Sequence, residues 1–252
     1  TLMSAPFKVY QRIGDLRKLS AKDFKATVLI YADGYVSDAI TAISALKENS
    51  QEDIAIYLLI SGSPDLSSIE EIIDERTYVV QIVQGVGWGE AMNALIKAAN
   101  SPYVIVMDPS TILMGDAITP TIAKLAEAEF SAVGWRGGLV NTEDEWRSVD
   151  DKGAGEVDVL FSYFLGLNKA HTLEAGAFNI RAIYYRNADI EFGLKLRQSQ
   201  GRLWQLDLPL KQERHHGYYD SDPEYREAQS KKNYDRILQR FRGKNEILSP
   251  RR

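Results

Sequence analysis

The chain of 252 residues contains no cysteine, which excludes disulfides, thiolate nucleophiles and Cys-ligated zinc together. Histidine is nearly as scarce: beyond the adjacent pair His215 and His216 there is only His171, so a three-histidine zinc centre is not expected. No apolar run approaches the roughly 20 residues needed to cross a bilayer, and the Thr1-Leu2-Met3 start carries no basic segment followed by an apolar stretch. The expectation is therefore a protein without a secretory leader or a membrane span, in the cytoplasm. Positive charge is in deficit as well. A net charge of -5 gives no general pull toward phosphate backbones, so nucleic acid is not expected as a partner. Gly-Lys-Ser and Gly-Lys-Thr are absent, as are Gly-x-Ser-x-Gly and His-Glu-x-x-His, leaving the P-loop, serine-hydrolase and zinc-protease readings without an anchor.

What is present is a folded chain with alternating structure. Hydrophobic residues make up 44%, enough for a full core at this length. Short apolar, β-branched runs at Lys25 to Tyr31, Ile54 to Ile60, Tyr78 to Val83 and Tyr103 to Met107 read as buried strands. Between them, helical spacing appears over Ser37 to Glu48, Leu66 to Asp74 and Glu90 to Asn100. Strands and helices alternating at this spacing predict βαβ crossovers and a mostly parallel sheet with helices on both faces. After Thr119 the pattern changes. A helix over Pro120 to Glu129, a strand over Ser131 to Trp135 and a polar stretch from Arg136 to Glu156, read as a lid, insertion or hairpin, open an α+β half. Phe178 to Tyr185, a helix over Ile190 to Ser199, Leu203 to Leu208 and a terminal helix over Tyr225 to Phe241 complete it. Residues 1–24 are expected to be an N-terminal extension. The last forty or so residues are rich in Lys and Arg, a solvated basic face or a peripheral contact to anionic lipid or an acidic polymer.

Three places can carry chemistry. Asp108, with Ser110 two residues on, closes a buried strand, where open α/β sheets bind ligands. It either caps the following turn or offers a carboxylate to a hard divalent ion. Asp189 and Glu191 open a helix; they either complement its dipole or supply a general base, one carboxylate raising the other's pKa. His215 is either an ordinary surface histidine or an imidazole ligand. The glycines at 85, 87 and 89 fall one residue short of the dinucleotide fingerprint and follow the third strand, not the first, so they do not support a nicotinamide site.

Taken in order, Val28 to Asp33, Leu58 to Asp65, Gln84 to Asp108 and Ala188 to Gly201 resemble the family-two glycosyltransferases of GT-A fold over roughly residues 25–242. The resemblance implies a GT-A type α/β domain with a Rossmann-like sheet: a nucleotide-sugar-binding half over 25–118, and an acceptor-binding half over 119–252 with a C-terminal helix. It implies that Tyr31 and Asp33 contact base and ribose, that Asp65 helps from the second turn, and that Gly87 and Asn93 lie near the base or diphosphate. Asp108 would be the first acid of the DxD metal motif, with Ser110 at the position of the second. Asp189 would be the catalytic base, and His215 a metal or diphosphate ligand. Glu174 to Ala177 would form part of the sugar or acceptor wall. The implied cofactor is Mg²⁺ or Mn²⁺. The implied partners are a nucleoside-diphosphate sugar, most often a UDP-sugar, and a glycan, lipid or protein acceptor. Three departures stand out: Ser110, Ser61 and Ala188 replace acids of the family pattern. Ser110 in particular weakens metal affinity, since a hydroxyl is only a neutral ligand. They leave a catalytically silent binding module as the alternative to inverting transfer.

Overall fold

The computed structural model describes residues 7–212 and 222–252. Its first half is strand and helix in alternation: β1 (Phe7–Tyr10), β2 (Ala26–Asp33), α1 (Val36–Asn49), β3 (Ile54–Ser61), β4 (Thr77–Ile82), α2 (Trp88–Ala98) and β5 (Tyr103–Met107). The second half adds β6 (Thr111–Leu113), α3 (Ile118–Leu125), β7 (Phe130–Gly134), β8 (Gly137–Val140), β9 (Val149–Asp150), β10 (Gly155–Val157), β11 (Val159–Leu160) and β12 (Phe164–Asn168). It ends with α4 (Lys169–Glu174), α5 (Ala188–Gln198), β13 (Arg202–Gln205), β14 (Leu210–Gln212) and α6 (Pro223–Phe241).

Nine strands form the main sheet in the order β1-β4-β3-β2-β5-β12-β7-β13-β10. The run from β1 to β5 is parallel throughout, as the alternation predicts. Side chains in β2 and β3 alternate between two apolar layers. Val28, Ile30, Ile56 and Leu58 face the layer of α1 and α3, while Leu29, Tyr31, Tyr57 and Leu59 face that of α2 and α5. Both strands are buried on both sides, which is why they read as continuous apolar runs. β1, within the expected extension, pairs with β4 and forms one edge of the sheet.

One local reading needs correction, and two features go beyond what was read. Leu66 to Asp74 holds only a 3-10 turn over Ile69–Ile72; of its apolar residues only Ile69 and Ile72 are buried there, too few for a helical stripe. Phe178 to Tyr185 is irregular and folds over the N-terminus of α2. The strand β12, unread in the sequence, inserts antiparallel between β5 and β7, with Phe164 opposite Met107. The polar stretch 136–156 includes the β8–β9 hairpin. Trp146 lies within it, buried with Ile190 and Leu194 of α5 and Ile237 and Phe241 of α6.

Candidate active site

The carboxyl ends of β2 and β5 open onto a cavity of about 170 Å³. Tyr31, Asp33 and Tyr35 line it from the end of β2; Trp88 and Met92 from α2; Met107, Asp108 and Pro109 from the end of β5. Ser162 lines it too, and Ile183, Tyr184 and Tyr185 cover it together with Tyr225 of α6. Tyr184 and Tyr185 are stacked at 4.8 Å between centroids, and Tyr225 stands 6.0 Å from Tyr184. This aromatic cover is held from behind. The buried Asn233 amide of α6 donates to the carbonyls of Tyr184 at 2.9 Å and Arg186 at 2.8 Å, and Asn187 Nδ2 donates to Ser230 O at 3.1 Å.

Asp108 sits on the cavity floor, surrounded by protein but with one partly exposed side. Its Oδ1 accepts from the Ser110 N–H at 2.9 Å and the Ser110 hydroxyl at 2.5 Å. Desolvation outweighs those bonds and pushes the carboxyl up to about 6. Ser110 is itself buried and accepts from Gln212 Nε2 at 3.0 Å, because β14 pairs antiparallel with β6. Asp108 thus makes the turn-capping bond, and the same residue faces the cavity.

Asp189 is buried at the start of α5, 6% exposed. Oδ2 accepts from the Ser162 N–H at 2.7 Å and Oδ1 from the Ile190 N–H at 2.9 Å. Burial again dominates and pushes this carboxyl up to about 6. It lies under Ser162, a residue of the cavity wall. Tyr163, next in sequence, accepts the Asp108 N–H at its carbonyl, 3.1 Å. Its hydroxyl is pushed upward first by burial, then by the charges of Asp189 and Asp108. The two acids, 81 positions apart in the numbering, are therefore each bonded to the backbone of residues 162–163, Asp108 lining the cavity and Asp189 lying behind its wall without lining it. β12 brings this about by laying residues 162–163 beside the end of β5. Glu191 turns elsewhere: it accepts from Asn179 Nδ2 at 2.8 Å and lies 3.8 Å from Arg236 of α6.

The remaining expected contacts divide. Tyr31 and Asp33 line the cavity; the Tyr31 hydroxyl donates to Val86 O, and burial raises the pKa of Asp33. Asp65, Gly87 and Asn93 are not among the lining residues. Asp65 is exposed and caps its own turn through the Ser67 N–H at 2.9 Å. Both ends of the Asn93 amide are taken by the backbone of Phe178, at 2.8 and 2.9 Å. Gly87 caps α2 against Ile183, where an added Cβ would meet Ile183 Cγ2 at 3.0 Å. At Gly89 a Cβ would meet Asn179 O at 2.2 Å, and the first-turn N–H groups of Trp88 and Gly89 are spent on Ile183 O and Ala182 O. The glycine spacing admits a loop against the helix and leaves those N–H groups no phosphate to bind. Glu174 faces a separate cavity with Ser131 and His171. His215 lies outside the described residues.

Trp88, Met92, Ser162, Tyr184, Tyr185 and Tyr225 went unread as site residues. Only the Tyr184-Tyr185 pair just before Asp189 offers a sequence signal. Among the described residues no group of three or more His, Asp or Glu is placed to hold a metal. The donor set nonetheless fits a divalent ion of the magnesium type, which takes one or two carboxylates and completes its shell with phosphate oxygens and water. Asp108 Oδ2 accepts no hydrogen bond among the described residues and is the oxygen to offer.

The fold and the strand-end cavity define a GT-A type α/β domain. Two solved structures share it, each with a TM-score of 0.65. GalNAc-T7, solved with UDP, GalNAc and Mn²⁺, is 14% identical over 87% of this chain and 48% of its own. The mannosyltransferase PcManGT from Pyrobaculum calidifontis, solved with GDP-Man and Mn²⁺, is 13% identical over 92% of this chain and 67% of its own. The chain thus spans about half the length of GalNAc-T7. No match was found among curated proteins. Residues 36–192 match the family described as Glycosyl transferase family 2, and the chain belongs to that family of glycosyltransferases.

Proposed function

We propose that the chain moves a glycosyl group from a nucleoside-diphosphate sugar, with a UDP-sugar as the expected donor, to an acceptor hydroxyl with inversion at the anomeric carbon. The observation that carries this reading is that Asp108 lines the aromatic-walled cavity and that Asp189, which does not line it, accepts the N–H of Ser162 in its wall. Tyr31, Trp88, Tyr184 and Tyr185 offer flat faces for a nucleobase. Asp108 sits where the diphosphate would lie. A divalent ion bound there would neutralise charge developing on the leaving diphosphate. Asp189 takes the acceptor proton. A carboxyl near 6 is ionised at neutral pH yet more basic than an ordinary aspartate, which is what a general base needs. Its two N–H donors hold it in one orientation.

Asp189→Asn tests the assignment: transfer should be lost while donor binding, read by thermal shift, is kept. Full turnover in that variant would refute it. A silent binding module draws support from the lack of a three-acid metal cluster among the described residues. Release of nucleoside diphosphate from any donor, with Mg²⁺, Mn²⁺ or chelator, would exclude that module.

A further inference from the structure

Beside Tyr163 runs an open groove of about 500 Å³, lined by Trp135, Arg136, Phe161, Tyr163, Lys211 and Gln212 together with Leu210. Three features distinguish it. Its floor is aromatic: Phe161 and Tyr163, both half-buried, meet edge to face at 6.1 Å, and Trp135 lies beside them. Among the described residues its lining carries positive charge and no carboxylate. The Arg136 guanidinium lies 4.3 Å from the centroid of the Trp135 ring and has no ion pair or side-chain hydrogen bond among the described residues. Its backbone is fixed, since Arg136 O accepts the Phe161 N–H at 2.8 Å where β8 pairs with β11.

The groove is also wired to the reaction centre. Gln212 in its wall donates to Ser110, which donates to Asp108, and the carbonyl of Tyr163 accepts the Asp108 N–H at 3.1 Å.

We propose that this groove holds the acceptor, and that the acceptor is an anionic oligosaccharide. One sugar ring packs on Phe161 and Tyr163, and its carboxylate or sulfate meets Arg136. This rests on the transfer reading above and names its acceptor class. Pyranose rings present apolar C–H faces that suit aromatic side chains. A planar guanidinium pre-oriented on an indole is suited to a two-pronged contact with an oxyanion. A neutral glycan would leave Arg136 unused, and a lipid tail would gain nothing from it.

The test uses the full chain and trisaccharides matched in length: one of galacturonate, one of sulfated galactose and one of unmodified galactose, read by ligand-observed NMR and calorimetry without turnover. The expected result is binding of the two acidic sugars at least about tenfold tighter than the neutral one, a preference that fades as salt is raised. Arg136→Ala should erase the preference, Arg136→Lys should keep part of it, and Phe161→Ala should weaken all three sugars. Arg136 is exposed, so its variants should fold, which circular dichroism checks. Binding of one acidic sugar alone names which oxyanion is read. Equal affinity for neutral and acidic sugars, an unchanged preference in Arg136→Ala, or binding of none overturns the proposal. Failure of the transfer reading would look different: no donor would release nucleoside diphosphate with or without sugar, while the binding arms still decide what the groove takes.

Discussion

Replacing Asp189 with asparagine should make stability respond to pH in a way that isolates this one carboxyl. In the folded chain its pKa is raised from 3.8 to about 6 by burial. At about 1.4 kcal/mol per tenfold change in proton affinity, that is about 3 kcal/mol. The sign follows from linkage: a carboxyl that binds its proton more tightly when folded contributes stability below pH 3.8 or so, and loses it as pH rises through about 6. Asparagine carries no such penalty at neutral pH. It accepts only one of the two bonds from Ser162 and Ile190, however, and turns an N–H₂ toward the other donor, costing about 1–3 kcal/mol at every pH. The variant should therefore be less stable than the parent by about 1–3 kcal/mol near pH 4, and equal to it or up to about 2 kcal/mol more stable near pH 8. Asp108 shares the upward shift but is present in both proteins, so it cancels. Denaturant unfolding at the two pH values measures the difference. Transfer should fall by about 10²–10⁴, the usual contribution of a general base. A stability difference that is the same at pH 4 and pH 8 would refute the burial argument whatever happens to activity.

Ser110→Ala removes a 2.5 Å bond to the Asp108 carboxylate, so the Asp108 pKa should climb further and the acid limb of the pH–rate profile should move to higher pH. An unmoved limb would mean that Asp108 does not govern it. Asn233→Ala strips two bonds from the Tyr184 and Arg186 carbonyls, at a cost of about 2–4 kcal/mol. It should also raise the donor KM by loosening the tyrosine cover; a lower melting temperature with unaltered KM would separate the helix from the cavity. Glu156 is buried between Arg197 and Arg202, each at 3.1 Å, and despite desolvation these cations hold its carboxyl below the usual range. Glu156→Ala should cost about 3–5 kcal/mol by stranding Arg197. The parent's share of that stability should be present above about pH 4.5 and lost as pH falls through the depressed value, as acid-unfolding curves of the two proteins would show.

The contrast between what could be read and what could not follows the range of the interactions involved. β2, β3 and β5 are buried on both faces by layers that any right-handed βαβ series supplies, so local composition was enough to place them and to put Asp108 at a strand end. α5 and α6 announce themselves by helical spacing, and Asp189 with the first. β12 is different. Phe164-Leu165-Gly166-Leu167-Asn168 is five residues long, and at Gly166 a Cβ would meet Thr121 Cγ2 at 2.5 Å, so its glycine serves a neighbour far along the chain. Its antiparallel place between β5 and β7 is a long-range outcome that no window of residues contains. Yet that strand is what brings residues 162–163 to the end of β5, where Tyr163 O accepts the Asp108 N–H and the Ser162 N–H donates to Asp189. The glycines at 87 and 89 belong to the same long-range kind: the group they admit is the loop carrying Ala182 and Ile183. The basic tail is likewise partly inward. Arg236 faces Glu191, Arg252 Nη2 meets the buried Asp158 at 3.0 Å, and Arg251 donates to the carbonyl of Glu156. Charges that looked like a surface in sequence hold α6 and the C-terminal end against the half that carries Asp189. The candidate acids at the ends of elements were legible one by one; the residues that hold them in place were not, because their partners lie tens of positions away.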